Sequence, residues 1–186
     1  MEPNAVQLAH YTPGPDYSPG ASLLKQLLWF YIGSPIVISY WLPFSALKVK
    51  ILRRFGADIG QQVRIKPGVR VKFPWRLSVG DSCWLGEQVW IDNLAPVTLG
   101  HDVCLSQGVY LCTGNHDWSK STFDLRLGAI TIGQSAWIGA QAVVVPGTSV
   151  GEGAVVTVNS VASGALSPWL IYAGNPAKAT KQRIMT

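Results

Sequence analysis

Branched apolar residues return at every sixth position along most of this 186-residue chain, each commonly followed by a small or polar residue. The runs are Ile59, Ile65 and Val71; Val79, Leu85 and Ile91; Leu99, Leu105 and Leu111; Ile132, Ile138 and Val144; then Val150, Val156 and a weaker Ala162. A second inward candidate follows each anchor: Val63, Val69 and Trp75; Cys83, Val89 and Ala95; Val103, Val109 and Asn115; Ala136, Ala142 and Thr148; Ala154 and Ser160. Most of these are small, which suits a narrow interior. The period matches neither an amphipathic helix nor simple strand alternation. It fits short strands between tight corners, three to a coil, with coils stacked about 4.8 Å apart so that equivalent positions pile up. One coil cannot bury its own apolar face, so several must stack. The triplets occupy 59–76, 79–96, 99–116, 132–149 and 150–167, with short insertions at 77–78 and 97–98 and a long one at 117–131. The expectation is an all-β chain whose residues 56–168 form a parallel β-helix. A β-sandwich with frequent glycines is the plain alternative.

The flanks read differently. Tyr11, Pro13, Pro15, Tyr17 and Pro19 predict an irregular arm over 1–20, packed along the scaffold or mobile. From Gln26 to Leu47 there is no charge. That length approaches a membrane span, although Gly33, Ser34, Pro35, Ser39 and Pro43 interrupt it. Lys25, Lys48, Lys50, Arg53 and Arg54 flank the segment, and Trp29, Phe30, Tyr31, Tyr40, Trp41 and Phe44 suit an interface. The leading expectation for 1–55 is an arm followed by two short helices that cap the open end of the stack or pack against a neighbour. A peripheral membrane contact and a true span are the alternatives. Residues 169–186 read as a tail with a short helix over 177–185.

Composition narrows this picture. Hydrophobic residues make up 48% and charged residues 13%, so twelve prolines and nineteen glycines mean turns rather than disorder. The net charge is +5, and Arg64, Lys66, Arg70, Lys72 and Arg76 lie together with no acid between Asp58 and Asp81. Such a patch suits phosphates, anionic lipid or anionic glycan, or is simply solvated. No recognition motif accompanies it, so nucleic acid is not an expected partner. Cys83, Cys104 and Cys112 give neither a disulfide framework nor a zinc spacing, so no metal site is expected. With no secretory signal read at the start, the default setting is cytoplasmic. The apolar segment leaves association with the inner membrane face open.

There are three histidines. His10 lies in the arm and His101 at a corner. His116 follows Gly114 and Asn115, ends a coil and opens the long insertion, where a loop on a rigid scaffold can carry active groups. A Cys112 or Cys104 nucleophile competes with it, but cysteines are also ordinary small buried residues.

Several segments together resemble one known family. They are 52–57 (Leu-Arg-Arg-Phe-Gly-Ala), Phe73-Pro74-Trp75, Trp84-Leu85-Gly86-Glu87, 92–97, Leu105-Ser106-Gln107, 111–117 (Leu-Cys-Thr-Gly-Asn-His-Asp) and 172–178 (Tyr-Ala-Gly-Asn-Pro-Ala-Lys). The chain resembles the left-handed β-helix hexapeptide-repeat acyltransferases, most of all their colanic acid biosynthesis acetyltransferase group. The resemblance implies a left-handed coil, a homotrimer with active sites between subunits, and acetyl-CoA as acyl donor. His116 would be the general base. Asn93, then Asp92, would hold the acceptor, with Asp92 also a candidate to orient the histidine; an asparagine ladder or a polar corner is the plain alternative for both. Asp117 would orient His116 or bind substrate hydroxyls, and Trp118 would offer an apolar face to a sugar ring. The donor would run along coils four and five, past Gly139, Ala140 and Ala142, with Ser160 contacting pantetheine or adenine and Lys178 a CoA phosphate; Trp137 would line this channel or pack against a neighbour. One departure stands out: many relatives carry Gly-Ala-Gly-Ser-Val-Val followed by Thr-Lys-Asp, where this chain has 157–165 without that lysine or acid. The implied activity is O-acetylation of a sugar hydroxyl in surface polysaccharide or glycoconjugate synthesis. N-acetylation of an amino sugar and a noncatalytic trimeric scaffold are the alternatives. Metal hydration chemistry would need more histidine than His101 and His116 supply.

Overall fold

The computed structural model describes residues 5–14 and 17–186. Residues 1–4 and 15–16 of the expected arm, and the side chain of His10, lie outside the described residues. The coil stack is a three-faced prism of parallel strands. Its first face holds six strands, Asp58–Ile59, Leu77–Val79, Val97–Leu99, Ile130–Ile132, Ser149–Val150 and Ala165–Leu166. The second runs from Arg64–Ile65 through Trp84–Leu85, Cys104–Leu105, Trp137–Ile138 and Val155–Val156 to Leu170–Gly174. The third holds Arg70–Val71, Trp90–Asp92, Tyr110–Cys112, Val143–Val144 and Val161–Ala162.

The hexad register is the pairing register. Ile65 pairs with Leu85, Leu85 with Leu105, Leu105 with Ile138 and Ile138 with Val156. Every anchor from Ile59 to Ala162 is buried in one continuous core. Glycine follows many anchors because successive coils approach backbone to backbone. A Cβ on Gly80 would meet the Gly100 carbonyl carbon at 2.6 Å, and one on Gly139 would meet the Val158 nitrogen at 2.7 Å. Two inward candidates depart from the count. Trp75 is only half-buried, in the 3-10 turn Pro74–Arg76, and Asn115 is exposed on a strand that has left the prism.

The lower end is capped by α1 (Leu23–Leu28), a π-turn Trp29–Gly33, α2 (Ser34–Ile38) and α3 (Ser45–Arg54). Buried Trp29, Gly33 and Val37 form one helical stripe. The cap meets backbone groups that an open edge would leave unpaired. Trp29 Nε1 donates to the Val71 carbonyl at 3.2 Å, Arg53 donates to those of Ile59 and Gly60, and Ser45 Oγ accepts from the Ile65 amide at 2.9 Å. Lys48 is fully buried, with Nζ donating to the Ser39 and Lys66 carbonyls, and burial pushes its pKa down. The capping expectation therefore describes this end. Among the described residues no helix is long and apolar enough to cross a membrane.

The upper end corrects the expected terminal helix. Ala177–Gln182 is a strand, antiparallel to Leu170–Gly174. The last coil leaves a ladder edge open, and a strand that folds back onto it gains backbone partners that a short isolated helix would lack. Arg183 extends the closure, donating to the carbonyls of Ser135 and Gly153.

Trp29→Ala should lower stability by about 3–5 kcal/mol in chemical denaturation, because it empties a buried site and strips a ladder partner. Trp41→Ala, at a fully solvated position, should change it by less than about 0.5 kcal/mol.

Candidate active site

The long insertion is an ordered hairpin. After Tyr110–Cys112 the chain leaves the third face, and Gly114–His116 pairs antiparallel with Leu125–Leu127, His116 opposite Leu125. Thr113 fixes the point of departure: it is buried, its Oγ1 donates to the Asp92 carbonyl at 2.9 Å, and it accepts from the Ala95 amide at 2.9 Å. Inside the hairpin Asp117 is buried. Ser119 Oγ donates to its Oδ1 at 2.5 Å and Arg126 Nη2 to its Oδ2 at 2.6 Å. The Ser119 hydrogen bonds, then Arg126, hold this carboxyl below the ordinary aspartate range. Lys120 and Asp124 pair at 2.7 Å near the tip.

His116 is held on several sides. Its ring stacks on Phe123 at 4.2 Å with 5° between planes, and Tyr11 of the arm meets it edge-on at 5.4 Å. Its Nδ1 lies 2.8 Å from the Phe123 carbonyl oxygen. A carbonyl only accepts, so Nδ1 carries the proton and the lone pair of the neutral ring sits on Nε2. That arrangement suits proton abstraction from a hydroxyl. His116 lines an open cleft of about 580 Å³ with Trp118, Arg126 and the backbone corner at 145–147. The arm packs over the hairpin, with the Gln7 amide donating to the Ser121 carbonyl at 3.0 Å.

The structure redistributes the other candidates. Neither Asp92 nor Asp117 is a hydrogen-bond partner of the imidazole, whose orienting group is the Phe123 carbonyl. No side-chain pattern could have revealed a backbone acceptor. Asp92 pairs with Lys72 at 3.0 Å and accepts from the Tyr110 hydroxyl at 3.2 Å. Burial, with the neighbouring Cys112 and Asp92, pushes that phenol up, so it stays protonated. Asn93 is fully buried, and its amide closes on both the amide and the carbonyl of Phe73. It is a rung between coils, with no face left for an acceptor. Trp118 is largely exposed at the cleft.

The donor candidates lie apart from His116 within one chain. Trp137 stands half-exposed on the second face, donating to Ser106 Oγ at 2.8 Å. At the corner that follows, Gly139 is buried against the backbone of the next coil and Ala140 is half-buried. Lys178 is exposed on the terminal hairpin, paired with Ala173. Two candidates are corrected by burial. Ala142 points into the core, and the Ser160 hydroxyl is buried and engaged with Thr157 Oγ1 and the Gly174 amide, both at 3.0 Å. Neither can touch a ligand without disturbing the prism. The cysteines give little support for a nucleophile. Burial pushes Cys83 up to about 11 and also raises Cys104, while Cys112 Sγ donates to the Gly114 carbonyl at 3.0 Å. Among the described residues no three metal-ligating side chains converge.

Comparison with known proteins adds three findings. Residues 129–161 match a family model described as the hexapeptide repeat of succinyl-transferase. The chain is 35% identical over 173 residues to a protein of Escherichia coli (strain K12) named as colanic acid biosynthesis acetyltransferase WcaF, covering 90% of this chain and 92% of that one. It is 32% identical over 114 residues to one from the same strain named as lipopolysaccharide biosynthesis O-acetyl transferase WbbJ, covering 55% and 58%. Among solved structures, the hexapeptide-repeat acetyltransferase VCA0836 of Vibrio cholerae O1 biovar eltor, complexed with acetyl-CoA, superposes with a TM-score of 0.78 at 21% identity, covering 89% of this chain and 92% of that one.

Asp117→Ala should speed amide hydrogen exchange across 114–127 about tenfold while leaving the coil amides unchanged, because Ser119 and Arg126 lose their shared acceptor. Alkylation at mildly alkaline pH should spare Cys83 until the protein unfolds; rapid labelling of native Cys83 would contradict its burial.

Proposed function

The chain belongs to the hexapeptide-repeat acetyltransferase family, and from that premise we propose that it transfers an acetyl group from acetyl-CoA to a sugar hydroxyl in the synthesis of a surface polysaccharide. The observation that carries the reading is the His116–Phe123 contact, which leaves the lone pair on Nε2 of a ring lining an open cleft. The names of the two Escherichia coli relatives support a glycan acceptor, and one of them supports oxygen as the accepting atom.

His116 Nε2 takes the acceptor hydroxyl proton as the oxygen attacks the thioester carbonyl. The new C–O bond forms, the C–S bond breaks, and the imidazolium returns the proton to the departing thiolate. The products are an acetyl ester and CoA, with no covalent enzyme intermediate. The proton stays on Nδ1 throughout, because the Phe123 carbonyl offers only an acceptor. Trp118 gives the sugar ring an apolar face. Arg126 holds Asp117, and through it the hairpin that bears His116.

Donor binding is assigned to the second face and the corner after it, at Trp137, Ala140 and Lys178. These residues stand on a different part of the prism from His116. A donor reaching both would lie between neighbouring chains, which supports a homotrimer with a site at each junction. The enzyme would work in the cytoplasm, where acetyl-CoA is available.

His116→Ala should reduce acetyl transfer about 10²–10⁴-fold while leaving oligomer mass and CoA affinity unchanged. The check is CoA release against a panel of sugars, with mass analysis of the product and its lability in alkali. Undiminished transfer would remove His116 from the mechanism, and an alkali-stable amide would reassign the enzyme to amino sugars.

A further inference from the structure

We propose that the capped end of the prism docks on an anionic membrane surface, with the exposed aromatic face of the cap entering the lipid interface. The helical segment 23–38 buries only its Trp29, Gly33 and Val37 stripe. The rest of the segment presents apolar side chains to solvent, among them Leu24, Phe30, Tyr31 and Ile32. The turn that follows adds Trp41, 97% exposed, and Phe44. So many large apolar side chains exposed within one short segment are unusual on a soluble chain unless something covers them.

Charge identifies the cover. Ten of the fifteen Lys and Arg residues lie between 21 and 80, with one of the ten acids. The cap and first coil are therefore strongly cationic in a chain that carries an acidic excess elsewhere. Lys50 and Arg54 are exposed on α3, and Arg70 and Lys72 on the first coil beside the apolar groove under α1. Exposed aromatics among cations match a bilayer interface, where rings sit at headgroup level and each base gains from anionic lipid. A second copy of the chain fits less well, since a symmetric contact would set two cationic rims against each other. The docking is peripheral, because no described helix is long and apolar enough to span. The first coil lies two ladder steps below the His116 coil, about 10 Å, so a docked prism holds its cleft close to the headgroups. The proposal does not depend on which acceptor the enzyme uses.

The test is co-sedimentation of the full chain with vesicles of phosphatidylcholine alone or enriched in phosphatidylglycerol. Binding should require the anionic lipid and weaken with salt. The double variant Trp41→Ser/Phe44→Ser, and separately Lys50→Gln/Arg54→Gln, should each weaken vesicle binding about tenfold. CoA release with a soluble acceptor and oligomer mass should stay unchanged in both. No binding to anionic vesicles would overturn the proposal, as would equal binding to neutral ones. A fall in oligomer mass in the aromatic variant would overturn it too, by assigning the face to a contact between copies.

Discussion

The parallel ladder between successive coils is the constraint on which the rest of this molecule depends. Each short strand is too brief to be stable alone, and it persists because the strands above and below pair with it in register. That register explains the sixfold rhythm, since an anchor displaced by one position would turn from the core to solvent. It explains the glycines as well: at Gly80 and Gly139 a methyl group would occupy the backbone of the next coil. It also makes the two ends a problem. The cap answers at one end with side chains aimed at open carbonyls and amides, and the terminal hairpin answers at the other with a returning strand.

A rigid stack offers one way to hold a loop side chain with low mobility, which is to let the chain leave at a chosen rung. Here the departure point is pinned by Thr113, and the departing strand immediately finds a partner in its own returning arm. The hairpin is closed by the buried Asp117 carboxylate with Ser119 and Arg126, and by the imidazole with Phe123. The contacts that order the loop thus also choose the tautomer of its histidine. Local stability and the choice of tautomer here rest on the same set of interactions.

Most of the prism was legible because burial on a narrow three-faced core leaves a strict imprint on residue type. Asn115 misled the count because the rhythm continues formally into a strand that has already left the face, and periodicity alone does not reveal the exit. Residues 177–185 read as a helix from local composition, yet an open ladder edge beside them outweighed that preference. His116 stood out by its position at the break. Phe123 and Tyr11 did not, because one acts through its backbone carbonyl and the other comes from a distant arm. Asn93, Ala142 and Ser160 lie at or beside inward positions, where a residue that looks suited to a ligand serves the stack instead.

The central claim is that the fold fixes a proton on His116 Nδ1 through the Phe123 carbonyl, in a ring that lines the cleft. The most direct measurement is the pair of side-chain 15N chemical shifts of His116 in protein labelled at histidine, with the other two histidines assigned by substitution. The expected result is that the singly protonated ring carries its proton on Nδ1 and leaves Nε2 bare. A dominant Nε2–H tautomer, or fast averaging between the two as in a free imidazole, would contradict the account.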